Sequence, residues 1–528
     1  MTAPQTPATQ AAPAYSPPPI PRRSWFAFAV LILGIAMALI DTTIVNVALP
    51  VIRESLKADE ATLSWIISGY ALAYGLALIP AGRIGDRIGH KPVFIVGLVI
   101  FTGASLWAGL ANDSASLIVA RVVQGLGGGI FFPAVTAFIQ LMFPGRARGR
   151  AFAIMGATIG FSTALGPIVG GLLIQWLGDA DGWRSIFFVN LPFGVIAVIA
   201  ALMLLPSGAE GKSATGADLV GLVLLAGGLV AILVPLIQGE QAGWPWETYV
   251  SMAGGLVLLV LFALWEIWVA RRGKSPLVPP HLFSHASFTG GTILALVYFA
   301  AFTSIFFTIS IFWQAGLGHT ALESGLVSIP FAIGSIIGAS QSNRLAERLG
   351  RTTLSIGTGM VAIGLIALWL VLLLIPASDL TNWELLVPLL VAGVGSGLFI
   401  APNAQFIVAT VDRAEAGAAS GVIGTVQRIG SAIGIAVIGS VFFGNLPASF
   451  APTDAQVAAA GQEFGSQGQD AVKAAIQKIV DQNLADGFGS SATIALLVSA
   501  IFAVAAFLLV FALPRRISRG YDTPPVGE

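Results

Sequence analysis

Three charged side chains lie deep inside long apolar stretches of this 528-residue sequence: Asp41, Arg121 and Arg428. An ion at the centre of a hydrocarbon layer costs roughly 2.5 to 3.5 kcal/mol on insertion scales, so each should face protein or water. A carboxyl in such a place can take up and release a proton. A guanidinium nearby, always charged, favours the carboxylate form of an acid and holds backbone carbonyls and water. Gln124 falls one turn along from Arg121, and Thr42 and Asn46 lie one turn apart beside Asp41. Asp41, Arg121, Gln124 and Asn46 therefore form the candidate site for proton coupling and substrate, with Asp41 as proton carrier and partner for a cationic substrate. The competing reading is an arginine that clamps two helices and an acid that never titrates.

Other chemistries find little support. The sequence has no cysteine, which excludes thiol nucleophiles, disulfides and thiolate metal sites. Its four histidines (His90, His281, His285, His319) all fall between apolar stretches. His281 and His285 are four apart, but Pro279-Pro280 precedes them and no acid or thiol completes a metal site. Gly211-Lys212-Ser213 lacks the glycine that a phosphate loop needs five residues earlier, where Pro206 stands. No enzyme, metal or bound cofactor is expected; protons would serve as the coupling ion.

The elements that must position these groups are membrane helices. Charged residues are 10% of the chain and hydrophobic ones 56%, with a mean hydropathy of +0.87. Soluble domains carry about 25% charge. Lys plus Arg and Asp plus Glu both number 26, so no net basicity points to nucleic acid. About 20 apolar residues cross the bilayer core, and fourteen stretches qualify: 25–49, 63–82, 92–111, 115–142, 151–177, 186–206, 218–238, 248–270, 287–316, 323–342, 352–376, 384–409, 416–444 and 490–513. With both termini cytoplasmic, most basic residues lie inside, and only Arg53, Lys57, Arg184, Lys473 and Lys478 lie outside. Residues 1–24, with Pro17-Pro18-Pro19, read as a disordered head. In the outer loop 445–489, Val472, Ala475, Ile476, Ile479 and Leu484 predict an amphipathic helix lying on the surface. Glu266, at the edge of its span, is expected to snorkel to the interface.

The chain repeats itself. Arg83, Asp86, Arg87 and Gly89, in the segment from Gly82 to Lys91, map onto Arg344, Glu347, Arg348 and Gly350 at a constant offset of 261. Each segment joins the second and third spans of a six-span unit if spans 7 and 8 are an insertion. This organisation divides the chain into a six-helix bundle (25–206), two inserted helices (207–286), a second bundle (287–513) and a tail (514–528).

The segment Gly82 to Lys91 resembles the signature loop of the major facilitator superfamily. Leu39 to Pro50, the string Gly160 to Gly171, and Trp183-Arg184-Ser185 with Asn190-Leu191-Pro192 resemble motifs of its 14-span drug:proton antiporters (EmrB/QacA-type). The resemblance is dense over the first 195 residues and looser in the second half, through Gly417 to Gly434. It implies an all-α integral membrane fold of 14 transmembrane helices, two six-helix bundles plus two extra central helices. It also implies a latch between bundles at Gly82, Asp86, Arg87, Gly89 and Lys91, with Arg344, Glu347 and Arg348 as its repeat. Gly160, Gly166, Pro167, Gly170 and Gly171 would form a close, kinked contact between the bundles. Phe131, Phe132, Phe161, Phe302 and Phe306, with Arg428, are candidate cavity linings.

The expected function is proton-coupled export of hydrophobic or amphipathic, preferably cationic, drugs across a bacterial plasma membrane. The alternative is dedicated export of one self-made metabolite or lipid. Expected partners are small-molecule substrates and the bilayer; the outer face could receive a periplasmic adaptor protein.

Overall fold

The computed structural model describes residues 20–178, 182–207, 218–239, 243–412, 415–447, 449–464 and 469–514. The proline-rich head before residue 20 lies outside these. Among the described residues every regular element is helical. The first bundle contains α1 (Arg22–Leu56), α2 (Glu60–Ile88), α3 (His90–Gly109), α4 (Ser114–Met142), α5 (Gly145–Leu177), α6 (Gly182–Phe188) and α7 (Asn190–Leu204). Two inserted helices follow, α8 (Leu219–Gln238) and α9 (Trp246–Arg271). The second bundle contains α10 (Ala286–Ile311), α11 (Ala321–Leu326), α12 (Ile329–Leu349), α13 (Arg351–Leu374), α14 (Asn382–Val408), α15 (Ala416–Gly444) and α17 (Gln469–Val510), with α16 (Asp454–Phe464) before the last.

Thirteen helices are long and apolar enough to cross a membrane, and α5, bent by 41° between Thr163 and Leu165, makes the fourteenth. Pro167 causes that bend: it has no N–H for the carbonyl of Thr163, four residues back. Helix starts follow local chemistry. Asp59 accepts the Thr62 N–H at 2.8 Å to begin α2, and Asp113 accepts the Ser116 N–H at 2.8 Å to begin α4. The turn from α2 to α3 passes through Gly89 at φ 99°, and its repeat from α12 to α13 through Gly350 at φ 54°. Both φ values lie where a side chain is disfavoured, which explains why glycine occupies matched positions of the two halves.

The halves pack alike. In the first, α4 lies against α2 and α3; in the second, α14 lies against α12 and α13. The bundles meet where α15 crosses α2 and α4, and where α5 runs along α11, α12 and α14. The inserted α8 packs on α9 and touches α2 and α15, so it covers the seam on that side. Leu256, Val257 and Leu264 of α9 are exposed, as on a helix whose solvent is lipid.

Two expectations need correction. The segment around Val472 is amphipathic, with Ala475, Ile476 and Ile479 half-buried and Lys473, Gln477 and Lys478 exposed. It does not lie flat: it is the first part of the 42-residue α17, continuous with the last span, because no glycine or proline breaks the run 469–486. Glu266 does not snorkel. It is 2% exposed, and its Oε2 accepts the N–H of Val278 at 3.0 Å, which folds the linker after α9 back onto that helix.

Candidate functional site

Asp41 projects from α1 into the interior of the first bundle, 0% exposed. Arg121 of α4 donates from Nη1 to its Oδ2 at 2.5 Å and to Gln124 Oε1 at 2.6 Å. The Nε of Arg121 donates to the carbonyl of Ile66 in α2 at 3.2 Å. Gln124 donates its amide to Asp41 Oδ1 at 2.8 Å and to Ser105 Oγ of α3 at 2.8 Å. Asn190, first residue of α7, donates to Asp41 Oδ1 at 2.9 Å. Five helices thus contribute to one cluster, with α4 and α7 reaching the carboxylate of α1 directly, and its ion pair is closed off from solvent. Tyr70 completes the wall: its ring carries the Arg121 guanidinium 4.1 Å from its centroid, and its hydroxyl donates to the carbonyl of Ala38 at 3.0 Å.

The spacing Arg121, Gln124 and the buried acid of α1 were readable from sequence, and the structure brings them together. Asn46 is not part of the group; it is exposed. Five residues along a helix is a rotation of about 140° past Asp41, so the two cannot share a face. Thr42 turns its hydroxyl to the carbonyl of Ala38 at 2.8 Å instead. The amide that fills the expected role is Asn190. Its signal was present as a lone polar side chain at the start of an apolar stretch, within the quoted Asn190-Leu191-Pro192. Since both oxygens of Asp41 are engaged and its charge is balanced by Arg121, this conformation offers no free carboxylate to a cation.

Asp86, near the end of α2, faces the start of α15 across the bundle boundary. Its Oδ1 accepts the N–H of Gly417 at 2.8 Å and its Oδ2 the N–H of Ala418 at 2.9 Å, the unsatisfied donors in the first turn of α15. His90 Nε2 stands 3.4 Å from the same carboxyl. A side chain at Gly417 would strike the carbonyl oxygen of Gly82 and Asp86 itself, so the two helices can close only with glycine on both sides. This carboxyl at a helix N-terminus across the bundle boundary stands where the resemblance implies a latch.

The repeat is only partly symmetric. Glu347 pairs with Arg146 at the start of α5 at 3.3 Å and accepts from Asn343 at 3.2 Å, but Arg146 is 86% exposed. Arg344 and Arg348 line an open groove there with Arg146 and Arg150. Arg87 is half-buried beside the Asp86 latch. Lys91 works within its own bundle, donating to the carbonyls of Leu202 and Leu205 at 2.8 and 2.9 Å and so capping α7. Arg351 does the same for α17 through the carbonyl of Phe511 at 3.1 Å.

On α5, Gly166 and Gly170 face Thr43 and Ile44 of α1, beside Asp41, while Gly160 and Gly171 face Ser335 and Leu322 of the second bundle. Pro167 itself abuts Gly325. The string therefore joins the acid-bearing helix to the other half of the molecule. Among the aromatic candidates, Phe131 is fully buried against Phe94 and Phe101, a core position between α3 and α4 rather than a cavity wall. Phe302 is 6% exposed, packed among Tyr298, Phe306 and Phe331. Phe132 and Phe306 are half-buried and Phe161 is exposed.

Two six-helix bundles, a dry ion pair at membrane depth and a latch across their boundary define a multi-pass membrane transporter. The family model described as Major Facilitator Superfamily matches residues 31–435, and the chain belongs to that superfamily. It is 37% identical to a protein of Streptomyces coelicolor described as a probable actinorhodin transporter, over 82% of this chain and 75% of that one. It is 33% identical to the puromycin resistance protein pur8 of Streptomyces alboniger, over 81% and 83%. The human organic anion transporter MFSD10 (TETRAN) shares the fold, with a TM-score of 0.61 at 14% identity over 92% of this chain and 99% of that one. The protein is a transporter and not an enzyme, and it falls among antibiotic exporters and resistance proteins of the superfamily.

Proposed function

We propose that the protein is a proton-coupled secondary exporter of hydrophobic or amphipathic organic compounds in a bacterial plasma membrane, with both termini cytoplasmic. The observation that carries this reading is the sealed cluster of Asp41 with Arg121, Gln124 and Asn190. A proton reaching Asp41 cancels its charge and leaves Arg121 to find other partners, so protonation and the packing of α1, α4 and α7 are one equilibrium. The Asp86 latch on α15 and the α5 contacts give the bundles a boundary that can open on one side and close on the other. The cation preference expected from sequence has no support in this arrangement, because Asp41 is already paired.

Inside-out vesicles containing the protein test the reading. A fluorescent amphipathic compound should accumulate when the vesicle interior is acidified, and collapse of the pH gradient should release it. Asp41→Asn should abolish gradient-driven accumulation. Accumulation by Asp41→Asn equal to the native protein's would move the coupling site elsewhere. Relatives described as transporting or exporting a single antibiotic favour a second reading, a dedicated exporter of one metabolite. A narrow substrate range in the same assay would select it.

A further inference from the structure

Arg428 occupies α15 twelve residues from its start, about 18 Å along the helix axis and so near mid-membrane depth. It faces the first bundle: its guanidinium lies 4.1 Å from the centre of the Tyr74 ring of α2, and its Cβ approaches Gly75. Among the described residues no carboxylate forms an ion pair with it. It is half-buried, and a half-exposed guanidinium at this depth must border water or a ligand rather than lipid. The hydroxyl of Tyr74, in a residue 1% exposed, has no hydrogen-bond partner among the described residues. The guanidinium faces that phenol, and its remaining N–H donors meet no carboxylate or carbonyl among the described residues.

We infer that Arg428 and Tyr74 receive an anionic oxygen of the transported compound, a carboxylate or phenolate carried on a flat aromatic frame. The inference rests on the export reading, because it places the acceptor in the compound that crosses the membrane. Charge supports it. Asp41 and Arg121 cancel each other inside the first bundle, so among the described residues the charge left between the bundles at this depth is the positive one of Arg428. A planar guanidinium meets a carboxylate through two parallel hydrogen bonds. Aromatic surface is at hand: Phe132, half-buried, lies 5.9 Å from the Tyr74 ring, edge to face. Leu233 of the inserted α8 approaches the same face of Gly75 and closes the seam beside this point. Thr425, one turn before Arg428, donates to the carbonyl of Gly75 at 3.5 Å and holds α15 to α2 there.

Equilibrium binding to the purified full-length protein, read by fluorescence polarisation without a gradient, tests the inference separately from proton coupling. The probes are two xanthene dyes of similar frame and opposite charge, fluorescein and rhodamine 6G. The native protein should bind fluorescein more tightly. Arg428→Gln should weaken fluorescein binding at least tenfold and leave rhodamine 6G within about twofold, which also shows that the variant is folded. Arg428→Lys should retain intermediate fluorescein affinity, and Tyr74→Phe should lose several fold. No fluorescein binding by the native protein, a native preference for rhodamine 6G, or unchanged fluorescein affinity in Arg428→Gln would overturn it. If Arg428→Gln binds neither dye, Arg428→Lys decides: retained fluorescein binding upholds the assignment and its loss overturns it.

Discussion

Arg121 cannot be removed alone without stranding a carboxylate. Asp41 is 0% exposed, and among the described residues the guanidinium is the one positive charge in contact with it. Breaking a buried pair from one side typically costs about 3 to 5 kcal/mol, while replacing both partners by neutral groups is far less costly. Arg121→Ala is therefore expected to lower the melting temperature in detergent sharply, and Asp41→Asn combined with Arg121→Gln to recover most of it. Equal loss in the single and double variants would mean that the pair is not what organises this cluster. At this scale the sequence was informative where one helix sufficed. Arg121 and Gln124, three apart, share a face, and Asp41 stood out as an acid in an apolar run. It misled at Asn46 and marked Asn190 only as a lone polar side chain without its partner, because which helix faces Asp41 is decided by packing between α1 and α7, not by spacing along α1.

Between helices, the same question arises for the Asp86 latch. Its two oxygens take backbone N–H groups at 2.8 and 2.9 Å from the start of α15, and hydrogen bonds to an ionised acceptor are roughly twice as strong as neutral ones. Asp86→Asn keeps the shape, loses the charge, and can accept through only one oxygen. The closed contact should weaken by about 1 to 2 kcal/mol, a factor of roughly 5 to 30 in the population closed on this face. The chain has no cysteine of its own, so spin labels on single cysteines placed at the ends of α2 and α15 would report that distance directly. A longer mean distance in Asp86→Asn is expected, with ligand affinity within a few fold; an unchanged distance distribution would show that the latch contributes little. The repeat that announced this element was visible in sequence through Asp86 and Glu347. Its asymmetry was not, since Glu347 meets an exposed arginine side chain in the first turn of α5 rather than backbone N–H groups, and solvent exposure of a loop leaves no pattern in the residues. The same limit applies to α17: amphipathic spacing marked Ile476 and Ile479, but could not distinguish a helix along the surface from one that continues through it.

For the molecule as a whole, the open issue is what the two inserted helices contribute. The repeat closes only when α8 and α9 are set aside, and they lie outside both bundles, α8 over the seam and α9 towards lipid. Yet their linker is firmly held. Glu266 Oε2 accepts the Val278 N–H at 3.0 Å, and Asp218, beneath the indole N–H of Trp265 at 2.9 Å, converges with Glu266 on Gly221. Further along, His281 meets Glu415 at 2.9 Å, directly before the helix that receives the latch. This geometry makes Glu266 a brace on the linker between the insertion and the second bundle. Glutamine can still accept from Val278 and can donate to the carboxylate of Asp218, so Glu266→Gln should keep both the fold and near-native export. Alanine leaves the Val278 N–H buried without a partner, a loss of about 1 to 3 kcal/mol. Glu266→Ala should therefore melt earlier, with the difference confined to stability and to protease sensitivity of residues 272–285. The decisive comparison is between the two variants in one transport assay corrected for the amount of folded protein. If Glu266→Gln folds normally and fails to export, the carboxyl takes part in the transport cycle, and the inserted pair belongs to the pathway rather than to its frame.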